Sequence, residues 1–180
     1  VLVGYRKDCP NAKSLIAQGI NCHVYQRRNT FLDLRLILKQ LIKFKPDVYV
    51  PNISVPGAYA GKYLKEAGIP VIITHRSDDK RNWCYMKTFG MPGPWQATGI
   101  VCVNNYLKEK LTESLATDLP IEVIPSGVNL PETTTNQATK QLSIIYSGRL
   151  EVEQKQIWQV VRAFHTLVEK NPKIRCTILG

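Results

Sequence analysis

The sequence predicts an α/β protein built on a parallel sheet with helices on both faces, and three observations predict it. Short apolar, β-branched runs alternate with stretches of helical periodicity, and repeated units of that kind join by right-handed crossovers into a parallel sheet. The composition is that of a folded protein: 180 residues, 44% hydrophobic and 21% charged, which excludes collagen-like, low-complexity and mini-protein classes. The alternation breaks at a polar, Thr-rich stretch and then resumes. The chain is therefore expected to comprise a first domain over 1–130, a linker over 131–141 and the start of a second domain over 142–180.

The elements follow in order. Val1 to Tyr5 reads as a strand, Asn11 to Gln18 as a weak helix ended by Gly19, and Ile20 to Tyr25 as a second strand. Thr30 is expected to cap a helix whose apolar positions, Phe31, Leu34, Ile37, Leu38, Leu41 and Ile42, recur in steps of three and four on one face. Arg35, Lys39 and Lys43 form a separate basic stripe on it. Lys45-Pro46-Asp47 breaks the helix, and Val48-Tyr49-Val50 is a short buried strand. Pro56 opens a helix that stops at Gly68, and Val71 to Thr74 is the next strand. Ser77 to Ala97, polar and aromatic, reads as a long loop holding at most one short helix, and long loops inside compact domains are often functional. Ile100 to Val103 is a strand, Tyr106 to Leu115 a helix and Ile121 to Ile124 a strand. Pro125 to Asn129 is a turn. Beyond the linker, Leu142 to Tyr146 is a strand, Lys155 to Lys170 a helix and Ile174 to Leu179 a strand.

Lys and Arg number 24 against 14 Asp and Glu, a formal charge of +10. That excess favours anionic partners without choosing among phosphates, nucleic acid and acidic lipid, and it also serves solubility. Every long apolar run is interrupted by Lys or Arg, short of the roughly 18 residues of a membrane span. The N-terminus has neither the basic nor the apolar region of a signal peptide. Five cysteines, Cys9, Cys22, Cys84, Cys102 and Cys176, show no CxxC spacing, so neither a zinc site nor a disulfide framework is expected. A cytoplasmic location fits these thiols, and Asn52-Ile53-Ser54 is then a chance sequon.

The run Ile144-Ile145-Tyr146-Ser147-Gly148-Arg149-Leu150-Glu151-Val152-Glu153-Gln154-Lys155 resembles the opening of the C-terminal domain in retaining glycosyltransferases of the GT-B fold, family-4 type (glycosyl transferases group 1). Further stretches resemble that family in order. They are Lys45-Pro46-Asp47-Val48, Ala67 to Ile72, Val101 to Lys108, Ile124 to Asn129, Ala163-Phe164, Asn171-Pro172 and Ile178-Leu179-Gly180. The resemblance implies a GT-B-like, Rossmann-type first domain on the acceptor side, lacking its first strand. It also implies the first βαβ unit of a second, nucleotide-sugar-binding Rossmann-like domain. The implied activity is transfer of a sugar from a nucleoside-diphosphate sugar to an acceptor hydroxyl with retention, of hexosyltransferase type. No cofactor is implied beyond the nucleotide-sugar donor substrate and no metal, in keeping with the lack of a DxD pair: Asp78 and Asp79 are adjacent and point apart. The family's Gly-rich turn would precede Val1 and its Glu-rich motif would follow Gly180. The resemblance thus implies an internal piece of a larger enzyme with little transferase activity alone.

Residue by residue, Gly148 at a strand end permits close approach of a ligand to the backbone. Arg149 offers a fork of donors for phosphate and Lys155 a compact second charge, with the dipole of the helix starting near Lys155 behind them. In the family, the matching Arg and Lys neutralise the donor diphosphate as it leaves. The competing reading makes them surface charges, with Lys155 paired to Glu151. His75, at the carboxyl end of a parallel strand where ligands bind in open sheets, is the expected catalytic residue, facing the donor sugar as in the family; the plain alternative is a loop His bonded to backbone. Arg76, Asp78 and Asp79 are expected to be solvated. Ser126 and Gly127 match the family's interdomain turn, with Gly127 supplying φ > 0. Asn104 and Asn105 depart from the family's usual Ser and Glu, and Gln156 replaces a frequent Gly as a tolerated change. Trp83 and Trp95 read either as sugar-stacking rings or as loop anchors. His23 and His165 read as structural.

The expected partners are a nucleotide-sugar donor and a saccharide or lipid-linked acceptor, with peripheral contact at an anionic inner membrane face. The alternative is a basic α/β binding module for RNA or an acidic membrane, motivated by Arg27-Arg28 and the stripe of Arg35, Lys39 and Lys43. Nucleic acid is not expected, since no RNP-like aromatic pair, GxxG loop or zinc knuckle is present.

Overall fold

The chain is described as a computed structural model at residues 2–5, 10–128, 142–153 and 155–180, without the side chains of 2–5, 10 and 11. Cys9, Asn129 and the expected linker 131–141 lie outside the described residues. Two compact units divide the chain, Val1–Gly127 and Val128–Gly180.

In the first unit, β1 (Leu2–Tyr5) and β2 (His23–Gln26) pair in parallel around α1 (Pro10–Ala17). After α2 (Thr30–Phe44) and α3 (Val55–Glu66), β3 (Ile72–His75), β4 (Gly99–Cys102) and β5 (Ile121–Val123) form a parallel sheet in the order β3-β4-β5. Its crossovers hold α4 (Lys80–Phe89) and α5 (Asn105–Ser114). Ile73 lies opposite Ile100, and Ile100 opposite Ile121. The second unit pairs β6 (Ser143–Ser147) with β7 (Arg175–Leu179), again in parallel, through α6 (Ile157–Lys170). The α/β, parallel, Rossmann-like expectation agrees with this architecture.

Local chemistry sets the boundaries. Asn29, not Thr30, caps α2: its side chain accepts the N–H of Leu32 at 2.9 Å, a stronger capping group than the Thr one residue on. Ser54 caps α3 by accepting from Gly57 N–H at 3.2 Å, with Pro56 in the first turn. Gly68 follows α3 at φ +79. The expected strand Val48–Val50 shrinks to one bridge, Tyr49 to Val71, because Pro51 has no N–H to extend the ladder. The second strand starts at His23 rather than Ile20, after Gly19 takes φ +78.

Two larger differences bear on function. Ser77–Ala97 is not chiefly a loop: Asp79 caps the ten-residue α4, and Gly90 ends it. The apolar positions of α2 do not share one buried face. Ile37 and Leu41 are buried, while Phe31 and Ile42 stay 70% and 74% exposed.

The core of the first unit is built from Ile73, Ile100, Met86, Leu111 and Cys102, all fully enclosed. Each such aliphatic side chain contributes about 1.5–3 kcal/mol. The free thiol of Cys102 acts here as a small hydrophobe, its pKa pushed up to about 11 by burial. Gly61 lets α3 lie directly on the sheet, since a Cβ there would sit 2.9 Å from Val71 Cγ1.

Candidate functional site

The carboxyl ends of β3 and β4 gather most of the first unit's polar chemistry. His75 is the last residue of β3, paired with Cys102, and is fully buried. Trp83 of α4 meets its ring edge-to-face, centroids 5.1 Å apart. Neither ring nitrogen has a hydrogen-bond partner among the described residues, so the plain alternative of a backbone-bonded loop His does not hold. Burial lowers the His75 pKa, against the pull of the Asp78 and Asp79 carboxylates, and the Lys110 charge adds to the lowering. A buried imidazole with no acceptor beside it is held neutral.

Asp78 is not merely solvated. Its carboxylate accepts from Trp83 Nε1 at 2.6 Å, Tyr106 Oη at 2.8 Å and Lys110 Nζ at 2.6 Å. These bonds, that of Lys110 foremost, hold its pKa down at about 2. The node ties the loop after β3 to α4 and α5 and fixes the indole that covers His75. Asp79 is likewise engaged: it accepts Asn82 N–H at 2.8 Å and Asn82 Nδ2 at 2.9 Å. The backbone bond is the main cause of its lowered pKa. Arg76 Nη1 donates to Asn52 Oδ1 at 3.3 Å. Asn52 and Ile53 both take left-handed backbone, φ 42 and 62, and for β-branched Ile53 that is a strained state. Asn104 accepts Leu107 N–H at 2.8 Å and so caps α5, a capping role that suits Asn.

Lys110, Tyr106 and Asn52 escaped the sequence reading. Lys110 lies 32 residues from Asp78, and no local pattern joins them. The α4 signal was available, in a capping Asp79 and a terminal Gly90 around Trp83, Met86 and Phe89. Trp95 packs edge-on against Tyr59 at 5.0 Å, and Lys62 lies over it at 5.1 Å, which makes it a loop anchor. Ser126 and Gly127 are exposed at the end of the first unit. Gly127 is not among the glycines with positive φ, so the turn does not demand glycine on that ground.

In the second unit Gly148 follows β6 and donates its N–H to Leu179 O at 3.0 Å. The space its missing Cβ leaves is taken by Tyr146, whose Oη would lie 3.1 Å from that atom. The hydroxyl donates to Arg149 O at 3.3 Å. Arg149 extends into solvent, its side chain 72% exposed, with Nη2 3.6 Å from Glu151 Oε2. Glu151 thus pairs with Arg149, where the surface-charge reading expected Lys155. Lys155 is exposed in the same turn. Helix α6 starts at Ile157, two residues later than expected. Gln156 stands before it at φ 50, and no side chain caps the helix. Gln156 is therefore not a neutral replacement for Gly: it occupies left-handed backbone that glycine adopts without strain.

Among the described residues no group of three or more His, Cys, Asp or Glu is arranged to hold a metal ion, and no helix is long and apolar enough to cross a membrane. Residues 10–132 match the family model described as Glycosyltransferase Family 4. No curated protein matches the chain. Among solved structures, GanP, a glucose-galactose binding protein from Geobacillus stearothermophilus, aligns at 16% identity over 99% of this chain. The chain spans 57% of that protein's length, and the TM-score of 0.28 is too low to carry an argument about fold.

Proposed function

The chain belongs to Glycosyltransferase Family 4, and on that premise we propose that it takes part in moving a sugar from a nucleoside-diphosphate donor to an acceptor hydroxyl. The match over more than half the chain is the observation that carries this reading. The transfer retains anomeric configuration: the bond from the anomeric carbon to the diphosphate oxygen breaks, and the acceptor oxygen bonds on the same face. The acceptor proton passes to the departing phosphate. Charge develops on the leaving diphosphate, so fixed cations there lower the barrier.

Arg149 and Lys155 are the residues assigned to that charge, in place of a metal. Two features support the assignment. Both side chains are exposed in the segment between β6 and α6. No side chain caps the first turn of α6, whose dipole favours an anion even though the N–H groups of Ile157 and Gln159 already bond to the carbonyls of Glu151 and Gln156. Gly148 holds the turn rather than opening a path for the ligand. His75 is assigned to the donor sugar. Trp83 covers it, so the imidazole reaches a sugar only when the indole shifts. Ser126 and Gly127 serve as connection and not as chemistry. The acceptor, a saccharide or lipid-linked saccharide, belongs to the first unit.

Calorimetric titration with UDP, GDP and ADP tests the reading. Saturable binding of at least one diphosphate is expected, and Arg149→Ala should weaken it about tenfold, the loss of one charge-assisted contact. No saturable binding, or full affinity in the Arg149 variant, would overturn it.

A further inference from the structure

We propose that the outer edge of α2 is a docking surface for an anionic lipid bilayer. The apolar face of α2 is only partly covered. Ile37 and Leu41 enter the core, Leu34 and Leu38 are half-buried against it, and Phe31 and Ile42 stand exposed. Phe31, Leu34, Leu38 and Ile42, with Tyr63 of α3, line a groove of about 510 Å³. Phe31 and Ile42 stand at its two ends, eleven positions apart, or about 16 Å along the helix. Tyr63 is itself 46% exposed.

The charge on this edge has one sign. Arg35 and Lys39 line the same groove, so the basic stripe borders the exposed edge of the apolar face. Lys43 follows in the last turn, and Arg27 and Arg28 precede the helix, all exposed. The single carboxylate of α2, Asp33, is 3% exposed and accepts the N–H of Arg28 at 2.9 Å. On α3, Glu66 is paired with Lys62. No exposed carboxylate of α2 opposes an approaching anion.

An apolar edge bordered by cations is the pattern of a helix lying in a bilayer interface. The apolar side chains enter the acyl boundary, and Arg35, Lys39 and Lys43 stretch up to lipid phosphates. A purely electrostatic partner such as RNA would leave Phe31 and Ile42 without a role. The surface stands on α2 and α3 alone and does not rest on the sugar-transfer reading, so either can fail without the other.

Cosedimentation of the full chain with phosphatidylglycerol-containing vesicles, pure phosphatidylcholine vesicles and single-stranded RNA tests it. Binding to the anionic vesicles is expected to exceed that to neutral ones and to weaken as salt rises. Phe31→Ser with Ile42→Ser should reduce it about tenfold. Both positions are exposed, so the circular dichroism spectrum and melting temperature should hold. Arg35→Glu with Lys39→Glu should also reduce it. Equal binding to both vesicle types, unchanged vesicle binding in either double variant, or RNA binding tighter than vesicle binding and indifferent to the Phe31 and Ile42 changes would overturn the proposal. So would a gel-filtration shift from dimer to monomer in the apolar variant with vesicle binding intact.

Discussion

Both ring nitrogens of His75 are enclosed without a hydrogen-bond partner among the described residues, and this burial sets a pH dependence whose sign is fixed. Burial lowers its folded pKa below the ordinary 6.5, so between the two values the unfolded chain binds a proton that the folded chain refuses. Stability is whole above about pH 6.5 and declines as pH falls toward the folded value. Asp78 acts in a separate window. Its pKa falls from 3.8 to about 2, so its contribution is present above about pH 4 and disappears as pH drops through 2. Urea unfolding across pH, followed by tryptophan fluorescence, should show two declining limbs. His75→Phe should flatten the limb below about pH 6.5, and Asp78→Asn the one below pH 4. A His75 variant that keeps the upper limb would show that the imidazole is not held neutral. These residues were legible in unequal measure. His75 announces itself by ending an apolar β-branched run. The anchoring of Asp78 depends on Tyr106 and Lys110, one crossover further on, and no local pattern carries that pairing.

Elements were legible where capping chemistry and periodicity agree. Ser54, Pro56 and Gly68 frame α3 in the sequence as they do in the fold. Helix α4 carries the same signals, Asp79 and Gly90 at its ends and Trp83, Met86 and Phe89 at helical spacing, but the polar and aromatic residues of Ser77 to Ala97 also fit a loop, and composition favours that reading. Periodicity puts the apolar positions of α2 on one face but does not say how far the core covers it, so the exposure of Phe31 and Ile42 at its edge is not legible. Helix α6 shows a third limit, since sequence alone does not reveal that Gln156 sits at φ 50. Holding a non-glycine residue there costs on the order of 1 kcal/mol. Gln156→Gly should therefore stabilise the second unit by up to about 1 kcal/mol, offset in part by the greater chain entropy of glycine when unfolded. Trp158 is the one tryptophan of residues 128–180, and its fluorescence in urea reports the change. A lower midpoint would mean that the Gln156 side chain supplies more than its backbone costs.

At the scale of the whole chain, the two units have separate internal contacts, and the proposed functions divide between them. The lipid-docking edge and His75 lie in the first; Arg149 and Lys155 lie in the second. That division predicts additivity. Gly61→Ala places a Cβ 2.9 Å from Val71 Cγ1 and forces α3 away from the sheet, at a cost of about 1–3 kcal/mol. It should lower the unfolding midpoint sensed by the half-buried Trp83 and Trp95 while leaving diphosphate affinity unchanged below that midpoint. Arg149→Ala should do the reverse. In the double variant the two effects should sum to within about 0.5 kcal/mol, the tolerance of independent sites. Both readouts, fluorescence melts and calorimetric titration, are needed on all four proteins. A larger coupling, in either affinity or stability, would mean that diphosphate binding draws on the packing of the first unit. Arg149 and Lys155 alone would then not account for the donor seat.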